Sequence, residues 1–155
     1  MFTPSGVSQT LANLGASSVQ ARAAVSTFAK TLVEEVRARA PRVIVAVHNN
    51  TEGGLSIHSY AAGGSDSSAA ADVAINAAED PDDFFYVTGR GHFEQLKALG
   101  YNVVLQANGS VPDDGSLSVF CDRNKIVYVN VEAQHGHGAK QAQMLLDVAK
   151  VLAHK

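Results

Sequence analysis

Val43-Ile44-Val45-Ala46-Val47 followed by His48, and Ile126-Val127-Tyr128-Val129-Asn130-Val131 followed by Glu132, are two apolar runs that each close on a residue able to carry chemistry. The first, a continuous β-branched run, predicts a strand covered on both faces, and the second predicts the last strand of the chain. Asn49-Asn50-Thr51-Glu52-Gly53-Gly54 follows the first and Ala133-Gln134-His135-Gly136-His137-Gly138 the second. His48 and Glu132 therefore sit at expected strand ends, where ligands collect in open α/β sheets.

Outward from these runs, strand and helix patterns alternate. Ser17 or Ser18 caps a helix to Arg39, with Val19, Ala23, Val25, Phe28, Leu32 and Val36 near helical spacing and Pro41 as the stop. Residues 1–16, rich in Ser, Thr, Gly and Asn, predict a loop or at most a short helix. Leu55–Tyr60 reads as a strand, and 61–78 as a Gly, Ser and Ala-rich stretch with weak helical character in its second half. Phe84–Val87 reads as a strand, His92–Leu99 as a helix ended by Gly100, and Asn102–Gln106 as a buried strand. Beyond the turn-rich 108–115, Leu117–Cys121 reads as a short strand. Ala139–Ala153 reads as a closing amphipathic helix with Ala142, Leu145, Leu146, Ala149 and Leu152 inward. The alternation predicts a three-layer α/β sandwich, a mostly parallel central sheet with helices on both faces, because parallel neighbours need long crossovers.

The chain has 155 residues, 46% of them hydrophobic, which predicts one domain over 1–155. With 17% charged residues and a net charge of −3 there is no basic field to hold a phosphate backbone, so nucleic acid is not an expected partner. No apolar run approaches the roughly 20 residues that cross a bilayer, so no membrane span is expected. The start lacks a secretory pattern, which leaves a cytoplasmic reading of the chain as it stands. The single cysteine, Cys121, excludes an internal disulfide and a four-cysteine zinc site. It reads as a packed thiol in a strand rather than a nucleophile.

A neutral imidazole at His48 can bind zinc or act as a base, or simply hydrogen-bond the next loop. A carboxylate placed after a buried strand, as at Glu132, pays for desolvation unless it is paired or used, and a raised pKa suits a general base. His135 and His137 are metal ligands, pocket-lining contacts or exposed loop residues. His58 reads as structural. Thr88-Gly89-Arg90-Gly91 before His92 reads as an ordinary turn without the third glycine of a dinucleotide fingerprint. Asp80-Pro81-Asp82-Asp83 and Asp113-Asp114 read as solvated turns, lacking the spacing of a calcium loop. No Gly-x-Ser-x-Gly elbow is present, so a nucleophile-dependent hydrolase ranks last.

Val43–His48 with the Asn49–Asn50 pair, then Val127–Glu132, then a helix beginning near Ala139 resemble the zinc-dependent amide hydrolases of the metallocarboxypeptidase-like fold. That group includes zinc carboxypeptidases, succinylglutamate desuccinylase and aspartoacylase relatives, and N-acetylmuramoyl-L-alanine amidases. The resemblance implies zinc as cofactor, His48 as a metal ligand and Glu132 as the base that deprotonates a zinc-bound water. His135 and His137 are extra to the family pattern and, with Asn49 and Asn50, are candidates for further metal or substrate contacts. Its substrate would be a small molecule or peptide: a peptide terminus, an N-acyl amino acid or a cell-wall peptide.

The departure is also clear. Such sites take three protein ligands, and the family's other His and Glu come from an earlier loop, whereas no histidine precedes His48. Met1-Phe2-Thr3 looks like residues that follow the family's carboxylate-holding Asn-Arg pair. The expectation is a C-terminal part of a longer enzyme, with weak or no turnover as it stands, pairing with a second copy through an exposed sheet edge. The alternative from another class is a non-catalytic binding domain derived from such a hydrolase.

Overall fold

The computed structural model describes residues 2–15, 17–111 and 113–153. Thr3 turns the chain into α1 (Pro4–Asn13): its side chain accepts from the Gly6 amide at 3.2 Å, and Pro4 fills the first turn, where a missing N–H costs nothing. This is a ten-residue helix rather than the expected loop or short helix. The cap, with Val7 and Leu11 buried four residues apart, outweighs weak intrinsic propensity.

Helix α2 (Val19–Arg39) starts at the expected cap, Ser18, and stops at Ala40, whose φ of 44° places it in the left-handed region before Pro41. Its inward stripe differs from the expected one. Ala29 is buried and Val25, Leu32, Val33 and Val36 are half-buried, whereas Val19, Ala23 and Phe28 face outward, Phe28 being 55% exposed. Residues 25, 29, 32, 33 and 36 share one helical stripe, and 19, 23 and 28 lie off it.

Five strands form one sheet: β1 (Val43–Asn50), β2 (Ala70–Ala74), β3 (Phe84–Val87), β4 (Asn102–Gln106) and β5 (Val127–Gln134), in the order β1-β5-β3-β4-β2. β1 is parallel to β5 and β3 to β4; β3 runs antiparallel to β5, and the edge strand β2 antiparallel to β4. The chain is thus α/β with helices packed on a five-stranded sheet.

Three expected elements differ. Leu55–Tyr60 is a turn and a short helix, α3 (Ile57–Tyr60), in which the Ser59 hydroxyl accepts from the Ser56 amide at 3.2 Å and Ile57 is fully buried. The second half of 61–78 gives a 3₁₀ turn at Ser67–Ala69 and then strand β2 rather than helix. Leu117–Cys121 belongs to α5 (Leu117–Arg123), after α4 (Arg90–Ala98), because Ser116 caps it by accepting from the Val119 amide at 3.3 Å. Cys121 is a buried free thiol, in this helix instead of a strand, and burial pushes its pKa up to about 11.

The sheet alternation sorts the core. Phe85, Val87, Val103, Leu105, Val129 and Val131 face α4 and the closing helix α6 (Gly138–Ala153). Met144 and Val148 of α6 are buried there with Leu145, Val151 and Leu152 half-buried, while Ala142, Leu146 and Ala149 face outward, contrary to expectation. Phe84, Tyr86, Val104 and Tyr128 face the opposite way, with Ile57, Phe120 and Cys121 over them and α2 contributing Val33 and Val36. β1 is an edge strand and is not covered on both faces: Ile44 and Ala46 pack inward, but Val45 and Val47 are 37% and 47% exposed.

Phe85 is fully buried and meets Tyr101 edge-on at 4.9 Å between ring centroids. Phe85→Ala is expected to cost about 3–5 kcal/mol in urea unfolding. Phe28→Ala on the outer side of α2 is expected to stay within about 0.5 kcal/mol of the parent. Equal losses at the two positions would contradict the α2 orientation.

Candidate functional site

His48 and Glu132 are not strand ends. Backbone pairing continues to Asn50 opposite Gln134, so both lie inside the paired region, directly across from one another. Parallel register puts their side chains on one face, with His48 Nδ1 3.7 Å from Glu132 Oε2. That separation is an ion-pair contact, too long for a hydrogen bond. The imidazole is open, 57% exposed, and the carboxylate is 5% exposed.

Among the described residues Glu132 has one hydrogen-bond donor in reach: Asn130 Nδ2 donates to Oε2 at 2.9 Å. Burial raises the Glu132 pKa, and the Asn130 bond and the nearby His48 offset this only in part. The Asn130 carbonyl oxygen is buried without a partner among the described residues.

These three side chains line a cleft of about 570 Å³ on the sheet face opposite α4 and α6. Tyr128 and Tyr86 extend its floor from β5 and β3. Tyr60 of α3, Asp66, Phe2 and the segment 114–118 form its walls. Tyr60 packs on Tyr86 with ring centroids 5.3 Å apart. Burial and the charges of Asp66, Glu132 and Asp114 push the Tyr60 pKa up to about 12, so its hydroxyl stays a proton donor at neutral pH.

The remaining expected residues lie elsewhere. Asn49 donates to the Ala133 carbonyl at 3.4 Å and Asn50 to the Asp82 carbonyl at 2.7 Å, and both bonds tie β1 to neighbouring backbone. His137 Nδ1 meets Asp83 Oδ2 at 2.9 Å in a separate depression beside Glu79 and Lys140. The Asp83 bond and charge raise its pKa. His135 is exposed in the loop before α6, and His58 is exposed on α3.

Asp82 and Asp83 are buried rather than solvated, and Asp83 also accepts from the Gln134 amide at 2.8 Å. Asp113 is likewise bonded rather than free, to Thr3, Ser5 and Arg123. His92 is half-buried, and burial lowers its pKa.

Among the described residues no group of three or more His, Cys, Asp or Glu side chains converges to hold a metal ion. His48 with Glu132 supplies one imidazole and one carboxylate, fewer than the three protein ligands of a catalytic zinc site. No helix among the described residues is long and apolar enough to cross a membrane. No family model matches the chain, and neither a curated protein nor a solved structure matches it.

Asn130 is the residue that reading the runs by their ends overlooks. It is two positions before Glu132, and strand periodicity of two puts both on the Tyr128 side. Asp66, Asp114 and Tyr60 arrive from loops and a short helix with no comparable signal.

The raised Glu132 pKa fixes a sign. The folded state holds this proton more tightly than the unfolded chain, so the contribution to stability is full below the ordinary carboxylate range. It is lost as pH rises through the raised value. Glu132→Gln is expected to melt above the parent at neutral pH, and the gap should close on acidification below pH ~4. A gap that is unchanged across that range in scanning calorimetry would refute the assignment.

Proposed function

We propose that the chain is an amide hydrolase domain of the metallocarboxypeptidase-like kind, a three-layer α/β/α arrangement in which Glu132 is the proton-transferring base. One observation carries this reading: a buried carboxylate, short of hydrogen-bond donors, faces an open imidazole 3.7 Å away on the floor of a cleft large enough for a small amide. Ionised Glu132 takes a proton from a water in the cleft, and the water oxygen bonds to the amide carbonyl carbon. The C–N bond then breaks and Glu132 returns the proton to the leaving nitrogen. The Tyr60 hydroxyl, protonated at neutral pH, is a donor available to the developing oxyanion.

The donor set within these residues does not fit a three-ligand zinc centre, so no step is routed through a metal. His48 remains the residue on which a zinc ion from the proposed family chemistry would bear. The same shortfall favours a second reading, a binding domain that keeps the cleft without turnover.

The test is hydrolysis of N-acyl amino acids, dipeptides and a cell-wall stem peptide by the purified chain, with and without added zinc. The hydrolase reading expects slow release of amine that Glu132→Gln lowers by about 10²–10⁴-fold. It also expects any zinc retained at stoichiometry to be lost in His48→Ala. No amine release from any amide under either condition would leave the binding domain as the function.

A further inference from the structure

The charge lining the cleft is one-sided. Asp66, Asp114 and Glu132 face it, and no Lys or Arg among the described residues lines it. An acidic lining alone does not specify a ligand, but Asn130 adds an independent constraint. It is 8% exposed, lines the cleft, and spends its amide nitrogen on Glu132 at 2.9 Å, which leaves its carbonyl oxygen buried with no donor. A buried acceptor in that condition is completed by a donor from a bound water or ligand.

The walls match a cation as well. Tyr60 and Tyr86 lie 5.3 Å apart between ring centroids at 51°, and Tyr128 adds a third ring to the lining. The electron-rich faces of such rings attract ammonium groups.

We infer that the cleft takes a ligand carrying a protonated alkylamine, with Asp66 and Asp114 balancing its charge beside the tyrosine rings and the unpaired Asn130 amide oxygen. This deepens the hydrolase reading by naming its substrate class, an amide with a basic side chain. A carboxylate in place of that side-chain ammonium would face Asp66, Asp114 and Glu132 with no Lys or Arg among the described residues opposite it.

Three probes of matched backbone separate the possibilities: the N-acetyl methylamides of lysine, norleucine and glutamate, titrated at millimolar concentration and low salt by NMR of the tyrosine rings. The lysine probe is expected to bind best, with affinity falling as salt rises. The double variant Asp66→Asn, Asp114→Asn is expected to weaken the lysine probe about tenfold and to leave the norleucine probe unchanged. Binding of the glutamate probe equal to or better than lysine, equal loss of both probes in the double variant, or binding of none of the three overturns the inference. The same tubes are assayed for amine release. Lysine-probe binding without cleavage would retire the hydrolase reading and keep the ligand class, whereas cleavage of the glutamate probe alone would do the reverse.

Discussion

The parallel register of β1 on β5, with Val43 opposite Val127 and His48 opposite Glu132, is the constraint on which the site depends. β5 is shared, since its other edge pairs with β3, placing Tyr86 opposite Asn130 and Phe84 opposite Glu132. A slip of one residue would send every β5 side chain to the wrong face. Val129 and Val131 would leave the core they share with Met144 and Val148, and Glu132 would enter it. The apolar face against α6 therefore enforces the polar face of the cleft. Residues with no titratable group hold His48 and Glu132 opposite one another.

Two buried carboxylates show how the fold distinguishes structure from site. Asp83 sits at the start of β3 with a backbone amide from Gln134 and the His137 imidazole in hydrogen-bond range, so its oxygens are provided for. That makes it a joint between the β3 start and the loop before α6. Glu132 is as deeply placed yet has a single amide donor among the described residues, and the His48 imidazole stands beyond hydrogen-bond distance. A buried carboxylate left this short is costly unless its proton affinity is used. The difference in donors, rather than burial or proximity to histidine, sets Glu132 apart and supports the proposal that it moves a proton.

The same physics explains what the sequence discloses. Runs such as Phe84–Val87 and Asn102–Gln106 are buried at every position and read directly as strands. Short apolar segments whose structure is decided by a neighbouring serine do not. Ser116 and Ser59 turn 117–123 and 57–60 into helix because their side chains capture local amides, and periodicity over four or five residues does not separate the two outcomes. Polar residues also misplace strand ends, since backbone pairing is indifferent to side-chain polarity and both β1 and β5 run two residues past His48 and Glu132. The pair itself was legible as two polar closures of apolar runs. The acidic and aromatic walls were not, because Asp66, Asp114, Tyr60 and Phe2 meet only after long-range contacts form.

One of those contacts lies outside the cleft and sets its response to acid. Asp113 accepts from Thr3 and Ser5 hydroxyls and from the Arg123 guanidinium, each at 2.7 Å, and from the Gly115 amide at 3.1 Å. Beside it, the Phe2 amide donates to the Gly115 carbonyl at 2.8 Å, pinning Phe2 and the 114–118 wall together. α1 comes so near that a side chain on Gly6 would overlap the Gly115 backbone. Burial opposes ionisation of Asp113, yet its four donors hold the carboxyl well below the ordinary range. Its stabilising contribution is therefore present above the ordinary carboxylate pKa and is lost only as pH falls toward the depressed value. Glu132 shifts the other way, accepting its proton early. On acidification Glu132 is neutralised while the wall beside it still stands, so under the proposed chemistry loss of proton transfer precedes loss of the cleft.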